Sequence, residues 1–391
     1  MTKLLIKLFV KDSTNVHDKV VRTRYGILSS VVGIILNILL FIVKYILGSM
    51  SGSIAITSSA FDHLSDCASC IVTLFGAKLS LKPADKDHPF GHGRVEYVAT
   101  FIISSLILIM GIQLFRSAVE KVFEPNKIVF SYVVIISLVL SLLVKLWMSF
   151  FNQKIGKTIS SKTMLAAAVD SRNDCLNTVI TIISASLSPF VSFPLDGVLG
   201  ALVSVFIIKN GIDLIKDTVD DLLGKPVDRE TTEAIKSTIL SNSLICGVHD
   251  LMIHNYGPGN LFGSCHVEVD KAGNIADIHD LIDRIERDIF TKDGIIMTIH
   301  MDPVDFSDPL ALEYKKTVED ALLEHNSQYK VHDFRMVTGN THTNLVFDVV
   351  VPFDVKIDKE SVETIIKNKL LEKYPEVNFY LVITYDRDFC L

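Results

Sequence analysis

The sequence predicts a helical membrane domain followed by a soluble α+β part, and three observations carry that prediction. The chain has 391 residues, 49% hydrophobic and 21% charged, with a formal net charge of -7 and a mean hydropathy of +0.39. That is too apolar for one soluble domain and too charged for a chain lying wholly in lipid. Long apolar runs follow one another up to about residue 220, and the remainder reads as ordinary globular sequence. Inside the apolar runs stand two pairs of aspartates spaced one helical turn apart, Asp62 with Asp66 and Asp170 with Asp174.

Met1 to Asp18 are interrupted by Lys3, Lys7 and Lys11 and offer no small-residue cleavage site, so residues 1–24 read as an amphipathic cytosolic start. Six segments of about 20 residues or more are long enough to cross the hydrocarbon core. They lie near 25–48, 54–80, 95–118, 128–150, 163–187 and 195–217, within a membrane domain of residues 25–220. The connections after the second and fourth carry Lys82, Lys86 and Arg94, then Lys154, Lys157 and Lys162. Those after the first and fifth, Gly48 to Ser53 and Ser188 to Pro194, carry no lysine or arginine, which places both termini in the cytosol. The cysteines Cys67, Cys70, Cys175, Cys246, Cys265 and Cys390 show no zinc-ribbon spacing, and nothing argues for an oxidising compartment.

From Asp228 onward the periodicity predicts a helix over 230–241, strands near 248–256 and 262–270, a helix over 276–290 and a strand near 295–300. The same order returns with a helix over 311–324, strands near 330–337 and 345–351, a helix over 359–373 and a strand near 377–385. Val248-His249-Asp250-Leu251 resembles Val331-His332-Asp333-Phe334, and Ile299-His300-Met301-Asp302 resembles Ile383-Thr384-Tyr385-Asp386. The soluble part is therefore a tandem duplication of a ferredoxin-like α-β-β-α-β unit, over residues 221–303 and 304–391.

Residues four apart on a helix share a face, so each aspartate pair presents two carboxylates to one place. An ionised side chain at membrane depth costs roughly 2.5–3.5 kcal/mol on insertion scales, so four of them call for a neutralising cation or protons. The second and fifth segments must then be neighbours, with Gly33, Gly111, Gly197 and Gly200 permitting close helix approach. Lys44 and Lys145 read as lysines snorkelling to the interface. His63, beside Asp62, points about 100° away around the helix and reads as no ligand. Cys67 and Cys175 read as small packing residues, and Asn37 as a possible donor of a carboxamide oxygen. In the loop Asp85-Lys86-Asp87-His88-Pro89-Phe90-Gly91-His92-Gly93-Arg94, the set Asp85, His88 and His92 suits a first-row divalent metal. In the first soluble repeat His249, His266, His279, His300 and Asp302 fall on strand ends and one helix, and converge on one or two metals.

Over residues 15–303 the chain resembles the cation diffusion facilitator family of divalent metal exporters. The resemblance rests on the aspartate-bearing second and fifth spans, Pro83-Ala84-Asp85 through Phe90-Gly91-His92-Gly93, Gly247-Val248-His249-Asp250-Leu251, and Ile299-His300-Met301-Asp302-Pro303. It implies that Asp62, Asp66, Asp170 and Asp174 form the transport site. It also implies that Asp85, His88 and His92 form a loop site, that His249, His266, His279, His300 and Asp302 form a cytosolic and often binuclear site, and that the protein is a homodimer. Zinc-transporting relatives usually carry histidine where this chain has Asp170, and an all-oxygen site points to Mn²⁺, with Fe²⁺ next. Many relatives end the sixth helix with an aspartate that pairs with the base matching Arg94. Here that position is Gly224, leaving Asp220 or Asp221 as substitutes.

In the second repeat His332 persists, Thr384 stands where His300 does in the first, no histidine matches His279, and Asp348 aligns with His266. That copy is expected to keep the fold and lose metal binding. The resulting expectation is a non-enzymatic homodimer in the plasma or inner membrane that exports Mn²⁺ against protons. Its partners are metal ions, protons and lipid, with no nucleic acid and no cofactor beyond the metal. The alternatives are a Zn²⁺, Cd²⁺ or Fe²⁺ exporter of the same family, or a membrane-tethered metal sensor.

Overall fold

A computed structural model describes residues 2–16, 18–51, 54–123, 132–187, 195–339 and 341–387. The connections at 52–53, 124–131 and 188–194, two of which bear on the orientation argument, and Cys390 lie outside the described residues. The chain divides into two compact units, the first made of Met1–Lys225 with Asn255–Asn260, the second of Pro226–His254 with Leu261–Leu391.

Among the described residues, the Met1–Lys225 part of the first unit is built from helices and their connections. A short α1 (Thr2–Phe9) precedes α2 (Lys19–Ser51), α3 (Ile54–Leu79), α4 (Val95–Phe123), α5 (Tyr132–Thr158), α6 (Lys162–Leu187) and α7 (Leu195–Leu223). Among the described residues four stretches are long and apolar enough to cross a membrane: Lys19–Leu47, Val95–Phe123, Ile135–Thr158 and Gly197–Leu223. The two expected spans missing from that set, α3 and α6, are the ones that carry the aspartates. Large apolar side chains such as Ile35, Leu39, Ile109, Leu143 and Leu202 point outward, as a lipid-facing surface requires.

The helices pair as α2 with α3, α4 with α7 and α5 with α6. Glycine makes two of these approaches possible. A Cβ on Gly33 would meet Cys70 Sγ at 2.7 Å, and one on Gly197 would meet the carbonyl oxygen of Ala118 at 2.9 Å. Polar groups line the interior: Ser29, Asn37, Lys44, Ser104, Lys145 and Asn152 are all buried. Neither Lys44 nor Lys145 reaches an interface. Lys44 Nζ donates to Ser59 Oγ at 2.9 Å, and Lys145 points into the aspartates.

The second unit repeats one pattern twice, as α8 (Arg229–Leu240), β1 (Ile245–Asn255), β2 (Leu261–Asp270), α9 (Ile275–Asp293) and β3 (Ile295–Val304), then α10 (Pro309–His325), β4 (Lys330–Thr338), β5 (Thr343–Val351), α11 (Lys359–Lys373) and β6 (Phe379–Arg387). Each repeat has a three-stranded sheet, in the orders β1-β2-β3 and β4-β5-β6, with β2 parallel to β3 and β5 parallel to β6. Ile278, Ile282, Ile285 and Ile289 recur at helical spacing along α9 and cover Cys265, Val267 and Val269, the inward-facing alternate residues of β2. Val362, Ile366 and Leu370 of α11 do the same over Leu345, Phe347 and Val349 of β5.

Alternation then places His266 and Glu268 on the sheet face away from the helices. The first strand of each repeat breaks alternation. Val248 and Leu251 both pack into the core although three residues apart, and so do Val331 and Phe334. Asp250 and Asp333, with φ of 48° each, absorb the extra residue, and the ladder shifts register between His332 and Arg335. These bulges turn His249 and His332 onto the face that carries His266.

Candidate metal centres

Asp66 lies on α3, and Asp170 and Asp174 on α6. One carboxylate oxygen from each falls within 4.8 Å of the others, so the helix-turn pair on α6 meets α3 as its spacing predicts. Asp62, one turn before Asp66, is exposed and outside this group. Lys145 of α5 completes the arrangement. Its buried ammonium donates to Asp66 Oδ2 at 2.5 Å and to Asp174 Oδ2 at 2.6 Å. A lone lysine 79 residues from Asp66 in the chain gave no periodic signal that would separate it from a snorkelling one.

His63 is also nearer the site than its angular offset from Asp62 indicates, because it stands three residues before Asp66 and therefore shares that face. Its Nδ1 lies 3.3 Å from Asp66 Oδ2 and its Nε2 3.1 Å from Ser141 Oγ. Asn37 uses its amide nitrogen toward Cys70 Sγ at 3.8 Å, and among the described residues its Oδ1 has no hydrogen-bond partner. Cys67 and Cys175 are buried free thiols, as packing residues should be.

The loop residues converge as the sequence indicates. Asp85 Oδ1 lies 3.5 Å from His88 Nδ1, Asp85 Oδ2 lies 3.4 Å from His92 Nε2, and the two rings are 4.5 Å apart. His92 Nδ1 sits 3.1 Å from the Pro83 carbonyl, an arrangement that leaves Nε2 for a metal. The Lys82 ammonium and the backbone N–H of His88 hold the Asp85 carboxyl well below the usual carboxylate range. Arg94 pairs with neither Asp220 nor Asp221. It donates to the Asn255 carbonyl at 3.0 Å and lies over the Tyr256 ring, both within the first unit. Asp221 instead accepts from Lys162.

In the second unit His249, His266 and Asp302 gather within 4.8 Å. Asp302 Oδ2 sits 2.9 Å from His266 Nδ1 and 3.2 Å from His249 Nε2, and His300 Nε2 lies 3.3 Å from Asp302 Oδ1. Burial disfavours a charged His249, but the Asp250 and Asp302 carboxylates beside the ring outweigh it and lift the ring to about 9. For Asp302 burial works upward, and the two histidines overcome it and lower the carboxyl. His279 is not brought to this group. It stands exposed on α9 with Asp283 at 3.8 Å, because its position falls on the helix face away from the sheet.

Two further groups escaped the sequence reading. His249, Asp250 and His332 lie within 4.8 Å, and so do His332, Asp348 and Asp386. The second repeat thus keeps a cluster despite Thr384. The two repeats meet here, with the His249 and His332 rings stacked at 4.1 Å and the Asp333 N–H donating to Glu268 Oε1 at 3.2 Å.

Residues 30–223 match the family described as cation efflux transmembrane domain, and residues 227–304 match cation efflux protein, cytoplasmic domain. The chain is 28% identical over 276 residues to an uncharacterized transporter of Methanocaldococcus jannaschii, covering 70% of this chain and 97% of that one. It is 27% identical over 294 residues to the manganese efflux system protein MneS of Bacillus subtilis, covering 74% and 98%. It is 28% identical over 272 residues to the cation-efflux pump FieF of Pectobacterium atrosepticum, covering 68% and 89%.

Proposed function

Because the chain belongs to the cation efflux family of membrane transporters, we propose that it exports Mn²⁺ from the cytosol in exchange for protons. The observation that carries this reading is the meeting of Asp66, Asp170 and Asp174 with no imidazole among the three. Carboxylate oxygens suit a hard ion, whereas the intrinsic affinity order favours Zn²⁺ over Mn²⁺ wherever nitrogen ligands dominate. The Bacillus subtilis relative is a manganese efflux system protein, which supports the same choice.

Charge bookkeeping supports exchange. Three ionised carboxylates and the Lys145 ammonium leave a net charge of about two negative units, which one divalent ion or two protons cancel. A site that alternates between those two fillings stays neutral as it crosses the membrane. Six spans, cytosolic termini and a homodimer joined through the second unit complete this reading, with Asp62 at the entrance to the triad, Asp85, His88 and His92 as a loop site, and His249, His266, His300 and Asp302 as a regulatory one. The contact of His63 with Asp66 favours a second reading, export of Zn²⁺, since it brings an imidazole to the edge of the triad.

The test is metal uptake into proteoliposomes with an internal pH reporter. We expect Mn²⁺ flux coupled to about two protons per ion by the charge balance above, and loss of that flux to background in Asp174→Ala. Wild-type Mn²⁺ flux in a folded Asp174→Ala protein removes the site assignment, and Zn²⁺ flux without Mn²⁺ flux selects the second reading.

A further inference from the structure

We propose that the second repeat carries its own divalent-cation site, formed by His332, Asp348 and Asp386, with Asp250 of the first repeat facing the same imidazole. His332 is 92% shielded from solvent, and among the described residues neither of its ring nitrogens has a hydrogen-bond partner. Buried imidazoles seldom stay unsatisfied on both nitrogens, so the ring is shaped for a group absent from the chain itself. Around it, Nε2 faces Asp250 Oδ1 at 3.9 Å and Asp386 Oδ2 at 4.0 Å, and Nδ1 faces Asp348 Oδ2 at 3.9 Å.

Those separations exceed a hydrogen bond and match two donors sharing an ion. Donors each held at about 2.1 Å from one metal stand no more than about 4.2 Å apart.

The site is built into the strands. His332 pairs in register with Asp348, and Asp386 stands two residues beyond Thr384, the register partner of Asp348. In the first repeat Asp302 likewise stands two residues beyond His300, the register partner of His266. The duplication has therefore preserved three ligand positions while exchanging imidazole for carboxylate at one of them. One nitrogen and two or three carboxylate oxygens suit Mn²⁺ or Fe²⁺ better than the nitrogen-rich first cluster does. Asp250 joins the two sites, because its Oδ2 lies 3.2 Å from His249 Nδ1 while its Oδ1 faces His332.

The experiment counts Mn²⁺ bound at equilibrium per full-length chain in detergent, for wild type, Asp386→Asn, His332→Gln and, as a control, Asp333→Asn, whose carboxylate pairs with Arg335. We expect Asp386→Asn and His332→Gln each to bind one Mn²⁺ fewer than wild type, and Asp333→Asn to bind the same number. Equal counts in all four overturn the proposal. Hydrogen exchange on the wild-type chain guards against variants that misfold. Added Mn²⁺ should slow exchange across 330–338 and 379–387 at least tenfold, and unchanged exchange there overturns the proposal independently of any substitution.

Discussion

At the residue scale the proposed preference for Mn²⁺ rests on Asp170, a carboxylate where an imidazole would add a nitrogen donor. It is buried with Asp66 and Asp174 at hand, and exchanging it for histidine adds a nitrogen donor without emptying the site. Asp170→His is expected to shift the Mn²⁺ to Zn²⁺ transport ratio toward Zn²⁺ by at least about tenfold, the equivalent of about 1.4 kcal/mol. Transport at matched free metal measures it, and an unchanged ratio in an active variant places selectivity elsewhere. The two α6 carboxylates were legible because helix periodicity fixes which residues share a face. Lys145 was not, since its role arises from α5 crossing α3 and α6, and one sequence carries no trace of that crossing.

Caps and bulges govern the element scale. Asp228 begins α8 by accepting from the Thr231 N–H at 2.9 Å and from its hydroxyl at 2.9 Å. These bonds, the backbone one foremost, hold the Asp228 carboxyl below its ordinary value. Asp228→Ala should cost the second unit about 1 kcal/mol. Because the folded carboxyl value is depressed, that contribution is present at neutral pH and disappears as the pH falls through it. Urea unfolding of both proteins at neutral and strongly acidic pH checks this, and a gap that persists in acid refutes the cap as its source. The order and bounds of the soluble elements were readable because alternation and amphipathic spacing are local signals. The bulges at Asp250 and Asp333 were not, and without them parity puts His249 and His332 in the core beside Leu251 and Phe334.

For the whole molecule, the separation of a carboxylate triad in the first unit from histidine-rich clusters in the second predicts separable functions. Replacing His266 and His300 together by alanine should weaken metal binding by the second unit at least about tenfold while leaving Mn²⁺ flux in place. Loss of flux equal to that of Asp174→Ala, in a folded protein, contradicts that division. The loop set Asp85, His88 and His92 was readable because three ligands within eight residues can hardly avoid one another. The cluster around His332 was hidden because Asp348 and Asp386 do not look like their counterparts His266 and Asp302 until the strands are in register.

The stack of His249 on His332 has a further consequence, because both rings belong to one polypeptide. Only residues 305–308 separate β3 from α10, so each repeat meets the other at an effective concentration in the millimolar range set by the tether. Contacts between separate chains fall apart on dilution. This one does not, and a single copy inserted into a membrane carries its repeat-to-repeat interface already assembled, whatever the expression level.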